Sequence, residues 1–263
     1  MPRCKAPEVP RSEAYWSYAA TTRDEGNAAD GRFSTACQGQ RLTVPRIPRA
    51  FADGFIYHVL NRGNGKKNVF HKSEDFQTFT DFLRLSRRLY PIKVLAYCMM
   101  PNHFHMVVWP EKAEELSKWM QWLMTTHVRR HHQIYGTNGH VWQGRFKSFV
   151  VQQDAHLLNL MRYVENNPVR AGLVDSALEW NWSSHAERLG KRPRDLADSA
   201  PLDLPEDWGR YVGMPLTGGE LERLRQSVNR QSPYGNLLWQ SQVCEELGLE
   251  STIRPKGRPR NLF

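Results

Sequence analysis

A chain of 263 residues with 40% hydrophobic and 24% charged residues has the composition of a folded globular protein. Lys and Arg outnumber Asp and Glu by 36 to 27, a net charge of +9, which either biases the partner toward a polyanion or serves solubility. No run approaches the roughly 18 apolar residues of a membrane helix, the start lacks a signal-peptide core, and Cys4, Cys37, Cys98 and Cys244 show no CxxC spacing; these features predict a cytoplasmic, membrane-free protein with free thiols rather than a zinc ribbon or disulfide scaffold.

Residues 1–46 are rich in Gly, Ala, Ser, Thr, Arg and Asp without helical or strand periodicity, and read as a flexible extension. Order is expected from PRIPRAF onward, because FIYHVLN (55–61) alternates apolar and polar residues as a half-buried strand does. The loop RGNGKKN follows, its glycines permitting close backbone approach to a ligand and its Arg62, Lys66 and Lys67 supplying charge; a solvated turn would look the same. Residues 74–90 place Phe76, Phe79, Phe82, Leu83 and Leu89 on one side of a helix that Pro91 stops.

Two strands, IKVLAYCMM and HFHMVVW, are joined by the turn dipeptide Pro101-Asn102. Residues 113–134 form a long amphipathic helix ending in HVRRHH, a basic cluster that suits a helix C-terminus and is read as a solvated end rather than a second metal site. A strand near 149–153 and a helix over 154–167, halted by Pro168, complete the order strand, helix, strand, strand, helix, strand, helix. That order predicts an α+β domain over 47–190, a ferredoxin-like antiparallel sheet with helices on one face. Residues 191–216, rich in Pro, Asp and Gly, read as a linker. In 217–263, Thr217 and Glu220 are placed for a capping box, two short helices follow, and the basic tail RPKGRPRNLF cannot build a core. The two helices have the order of a helix-turn-helix without establishing one, and PKGRPR is either an AT-hook-like segment or a solubilising tail.

Strand alternation puts His103 and His105 on one face, with Phe104 on the other, close enough to share a cation. An HxH in a strand also occurs as an ordinary hydrogen-bonded pair. In the last helix Leu157, Leu160, Met161 and Val164 form the core stripe, and Tyr163 and Asn167, four residues apart, lie at its edge.

Together MPNHFHMVVWP, VWQGRFKS and YVENNPVRAGLV resemble the signature segments of the single-tyrosine HUH transposases, IS200-like enzymes, and within them the bacterial REP-associated tyrosine transposases. The similarity runs from FIYHVLNRGNGKKNVF to NWSSH, and GLESTIRPKGRPR is similar to the tail of that subgroup. The resemblance implies the HUH endonuclease fold, His103 and His105 as metal ligands, Tyr163 as nucleophile and Asn167 as third ligand, where relatives often have Gln and where Glu165 or water is an alternative. It implies Mg²⁺ or Mn²⁺, although two imidazoles alone equally suit zinc, nickel or copper. The implied reaction is attack of a tyrosine on single-stranded hairpin DNA of the REP type, leaving a 5′-phosphotyrosine and a free 3′ hydroxyl; a second hydroxyl reverses the step, so strands are joined without an external energy source.

Arg62, Lys66, Lys67, Arg145 and Lys147 are candidate phosphate contacts, and Trp142 and Phe146 candidates for stacking on unpaired bases, with a core role the alternative for both. Arg254, Lys256, Arg258 and Arg260 extend the candidate DNA surface into the tail. Two rivals follow. One is a binding module of the same fold, a hairpin DNA- or RNA-binding regulator without cleavage; the other is a zinc hydrolase, which needs a third strong ligand. Relatives with swapped tyrosines are dimers and others act as monomers, so a monomer or homodimer is expected.

Overall fold

The computed structural model describes residues 51–254, so the extension 1–46 and the tail residues Lys256, Arg258 and Arg260 lie outside the described residues. Its centre is a four-stranded antiparallel sheet in the order β2-β3-β1-β4, built from β1 (Ile56–Arg62), β2 (Ile92–Met100), β3 (His103–Pro110) and β4 (Lys147–Val151). The expected α+β, ferredoxin-like architecture is what the chain forms. Between the strands run α1 (Ser73–Leu89), α2 (Ala113–Tyr135) and α3 (Ala155–Glu165).

The helices α1 and α2 share one face as expected. There Phe79, Leu83, Leu116, Trp119 and Leu123 pack with Tyr57, Val94, Phe104 and Met106. The opposite face is covered too, by α3, whose Leu157, Leu160, Met161 and Val164 pack with Ile56, Leu95, Cys98, Val107 and Phe149. Burial on both sides explains why β2 and β3 read as nearly continuous apolar runs rather than strict alternations.

The helix 154–167 of the sequence reading is two elements. Asn166 (φ −89°, ψ 4°) ends α3, and Asn167 and Pro168 open a short α4 (Asn167–Arg170). Pro168 starts this turn rather than halting the previous helix, because a proline in the first helical turn loses no hydrogen bond.

The stretch 191–216, read as a linker, is packed against the domain. Leu196 is buried in the cluster under α1, and Trp208 and Val212 of α6 (Trp208–Gly213) are buried in the cluster under α3. Nη2 of Arg87 donates to both carboxylate oxygens of Asp198, each at 2.7 Å, and Asp198 also accepts from the Val94 amide. Between α4 and α6 lies α5 (His185–Arg188). Beyond α6, α7 (Gly218–Arg230) begins with the expected Thr217/Glu220 capping box, followed by α8 (Leu237–Leu247) and α9 (Glu250–Ile253). Leu224 of α7 and Val243 of α8 reach the two cores. Cys98 and Cys244 are free thiols, both buried.

Candidate active site

The register of the sheet places the candidate residues in rows. One row runs Cys98, His105, Leu60, Lys147 across all four strands, and the next runs Met100, His103, Arg62. Period-two alternation therefore puts His103, His105, Arg62 and Lys147 on the face that α3 covers. Tyr163 comes from α3 above it. Its ring meets His105 edge-on, with centroids 5.7 Å apart and planes at 84°. The rings of His103 and His105 stand 5.1 Å apart at 88°. The sequence thus assembled two histidines and one tyrosine from elements some 60 residues apart into one place.

Both imidazoles are neutral at physiological pH. Burial, reinforced by the charges of Arg62 and Arg170, brings His103 down to about 4. Burial also holds His105 well below the usual histidine range, with His58, His103, Arg170 and Arg62 adding to it. Neutral imidazoles keep the lone pairs that a metal requires.

The proton positions can be partly assigned. Nδ1 of His103 lies 2.6 Å from Oδ1 of Asn102, an oxygen that can only accept, so the proton sits on Nδ1 and Nε2 is left as the donor atom. The Asn102 amide is oriented by its Nδ2, which donates to the Lys66 carbonyl at 3.1 Å. The partner of His105 is a second histidine, His58, whose Nε2 is 2.9 Å from His105 Nδ1.

Asn167 is 6% exposed, and its Nδ2 has no hydrogen-bond partner. Two neutral imidazoles offer two lone pairs to a divalent cation that keeps open positions; the unpaired Nδ2 of Asn167 is an N–H donor, so that amide would ligate only through Oδ1. Among the described residues no group of three or more His, Cys, Asp or Glu side chains is arranged to hold a metal. The third strong ligand that a zinc hydrolase needs is therefore not found beside the pair among the described residues. Glu165, the alternative to Asn167, is fully committed elsewhere. Its carboxylate accepts from Ser184 (2.6 Å), His185 (2.9 Å), Arg188 (2.9 Å) and Trp208 (2.8 Å).

Two cations, Arg62 and Arg170, lie close enough to the histidine pair to act on it electrostatically. Arg62, Lys66, Lys67, Arg145, Lys147 and Arg170 are all exposed, and none of them enters an ion pair among the described residues. Arg170, which the sequence reading passed over, lays its guanidinium 4.5 Å over the Tyr163 ring. Its signal was only the spacing of seven residues from Tyr163 across the break at Asn166. Arg254 is exposed after α9.

Trp142 takes the core role rather than the stacking one. It is 4% exposed, packed edge-on against Phe70 and Phe104 and beside His127, so neither ring face is open to a base. Its segment extends the ladder of β1: Gln143 donates to the Arg62 carbonyl and Asn64 to the Val141 carbonyl, each at 2.8 Å. Phe146, 7% exposed, belongs to the same core. In the cluster at the end of α2, His127 is a core residue at 5% exposure against Phe70 and Phe79.

Residues 52–167 match the family described as IS200-like transposases. A Haemophilus influenzae protein named provisionally as a REP-associated tyrosine transposase is 28% identical over 140 residues, covering 49% of this chain and 73% of that protein. Among solved structures, a REP-associated tyrosine transposase bound to a REP hairpin is similar with a TM-score of 0.47 at 18% identity, covering 62% of this chain and 99% of that one. A provisionally named transposase from Deinococcus radiodurans is similar with a TM-score of 0.33 at 16% identity, covering 46% and 97%. No helix of the described residues is long and apolar enough to cross a membrane.

Proposed function

We propose that the chain, whose residues 52–167 match the family described as IS200-like transposases, nicks single-stranded hairpin DNA of the REP type and transfers the strand through Tyr163. The observation that carries this reading is the edge of the Tyr163 ring set against His105, on the same sheet face as His103. The Tyr163 hydroxyl attacks a phosphodiester, its Oη–P bond forms, and the P–O3′ bond breaks, leaving a 5′-phosphotyrosine and a 3′ hydroxyl. Attack by a second 3′ hydroxyl restores the tyrosine and joins the strands.

His103 and His105, through Nε2, and the amide of Asn167 would hold the divalent ion, Mg²⁺ or Mn²⁺. When bound, such an ion supplies Lewis-acid polarisation of the phosphoryl oxygens and offsets charge in the transition state. Arg170 and Arg62 flank the histidine pair, where guanidinium groups bind a phosphate in a defined orientation. Lys147, Arg145, Lys66 and Lys67 continue the positive surface along the strand ends and supply backbone contacts without sequence preference.

The test is incubation with a labelled single-stranded hairpin and Mn²⁺ or Mg²⁺, read as a protein–DNA adduct on a denaturing gel. The adduct is expected with wild type and absent with Tyr163→Phe or with chelator. Tight hairpin binding without any adduct, over hairpins that include those of the gene's own flanks, would replace this reading with a binding regulator of the same fold.

A further inference from the structure

The hydrogen bond between His58 and His105 carries an inference that goes beyond the metal site proposed above and rests on it. His58 lies in the middle of β1 and is 0% exposed. Its neighbours are apolar: Val107 and Phe149 pair with it across the sheet, and the Phe149 ring meets it edge-on at 4.8 Å. Burying an imidazole there costs free energy that a valine would not, because one of its nitrogens, Nδ1, has no partner. Its other nitrogen is engaged with His105 Nδ1 at 2.9 Å. The two ring planes lie within 8° of parallel with centroids 5.0 Å apart. With the nitrogens so close, that is an in-plane hydrogen bond between coplanar rings rather than face-to-face stacking.

The direction of this bond decides what His105 can do. If His58 donates, His105 carries its own proton on Nε2 and has no lone pair facing outward. If His58 accepts, His105 carries the proton on Nδ1, and Nε2 is free. The neighbouring ligand His103 is already fixed in the second state by Asn102. The partner of a ligating histidine sets its tautomer and ring orientation. We propose that His58 is a positioning residue that accepts the His105 Nδ1 proton and so presents His105 Nε2 to the metal. The pair of ligands is then oriented by two different acceptors, an amide oxygen for His103 and an imidazole nitrogen for His105.

The experiment uses the full chain and Mn²⁺ alone as probe, with affinity from titration calorimetry or electron paramagnetic resonance, and tautomers from ¹⁵N long-range spectra of histidine-labelled protein. In the metal-free wild type, His105 is expected to be protonated on Nδ1. His58→Leu, which keeps an apolar side chain of similar volume, is expected to weaken Mn²⁺ binding by about 10–100-fold, and His58→Gln, which restores an acceptor, to recover most of it. A wild-type His105 protonated on Nε2, or a folded His58→Leu protein that binds Mn²⁺ as tightly as wild type, would overturn the inference. His105→Ala separates the two levels. Wild-type binding that is lost in His105→Ala but unchanged in His58→Leu sinks only the role of His58. Wild-type protein that fails to bind Mn²⁺ at all sinks the metal site and this inference together.

Discussion

Replacement of Glu165 by Ala is the most demanding test of how the nucleophile's helix is anchored. Glu165 is 0% exposed, two residues beyond Tyr163, and its carboxylate collects donors from Ser184, His185, Arg188 and Trp208. The Arg188 side chain is itself only 3% exposed, and it also donates to the carbonyl of Leu95. Leu95 is the residue at which the β2–β3 register shifts, so its carbonyl lies outside the regular ladder. Removing the carboxylate leaves a buried guanidinium without its counter-charge and two further donors, His185 and Trp208, unpaired, while Ser184 keeps the Tyr97 carbonyl at 3.4 Å. Breaking a buried pair in this way costs about 3–5 kcal/mol, and the donors add to that less than their separate sum, because they share one partner. With a urea dependence of about 2 kcal/mol/M, the unfolding midpoint followed by circular dichroism should fall by about 2 M. Glu165→Gln keeps the shape and loses the charge, for about 1.5–3 kcal/mol. A shift below about 0.5 M for Glu165→Ala would refute the hub. Acid gives an independent check. Burial alone would raise the Glu165 pKa, but the His185 hydrogen bond, the Arg188 charge and the Ser184 hydroxyl bring it down to about 2. A carboxylate depressed in the folded state stabilises it fully above the unfolded pKa, and the contribution is lost as pH falls through the folded value. Wild type should therefore lose stability between about pH 4.5 and 2, and Glu165→Ala should show a flatter profile over that window.

Gly63→Ala places a Cβ 2.1 Å from the Lys67 carbonyl oxygen and 2.9 Å from a Val69 methyl; forcing the loop open should cost about 1–3 kcal/mol, measurable by thermal denaturation, together with weaker hairpin binding. Asp198→Ala removes the carboxylate partner of Arg87 and of the Val94 amide and should destabilise by about 1–3 kcal/mol, whereas unchanged stability would show that this carboxylate does not tie the 191–198 segment to the fold. Arg170→Ala should weaken binding of single strands and lower the slope of log affinity against log salt by about 0.7, the share of one phosphate contact; an unchanged slope would remove Arg170 from the phosphate surface.

Much of this was legible in the sequence because period two and period 3.6 act over short distances. Alternation alone placed His103 and His105 on one face, and the apolar stripe of 157–164 left Tyr163 at its border, where it meets His105. What failed to show was anything that depends on which surface another element covers. In FIYHVLN the histidine reads as the polar, outward half of an alternation; it is buried because α3 lies over that face, and nothing near residue 58 announces a helix arriving about 100 residues later. Glu165 read as a spare ligand because its four partners are 19 to 43 residues further along. Residues 191–216 read as a linker because their apolar anchors, Leu196, Trp208 and Val212 among them, are spaced too irregularly to make a period. Trp142 was ambiguous for a related reason: a tryptophan in a loop between two glycines looks the same whether it closes a core or waits for a base.

The turn between β2 and β3 has a consequence for anyone wishing to redesign this protein. The Pro101 carbonyl accepts from the amides of Val69 and Phe70, the Asn102 carbonyl accepts from Gly63, and the Asn102 side chain spans from Lys66 to His103. The basic loop and the hairpin are thus stitched at four points, and the last of them holds a histidine ring. Residues 62–70 and 101–103 should be exchanged between homologues as one cassette. Transplanting the loop alone would deliver new charges onto a scaffold that no longer knew where to hold His103.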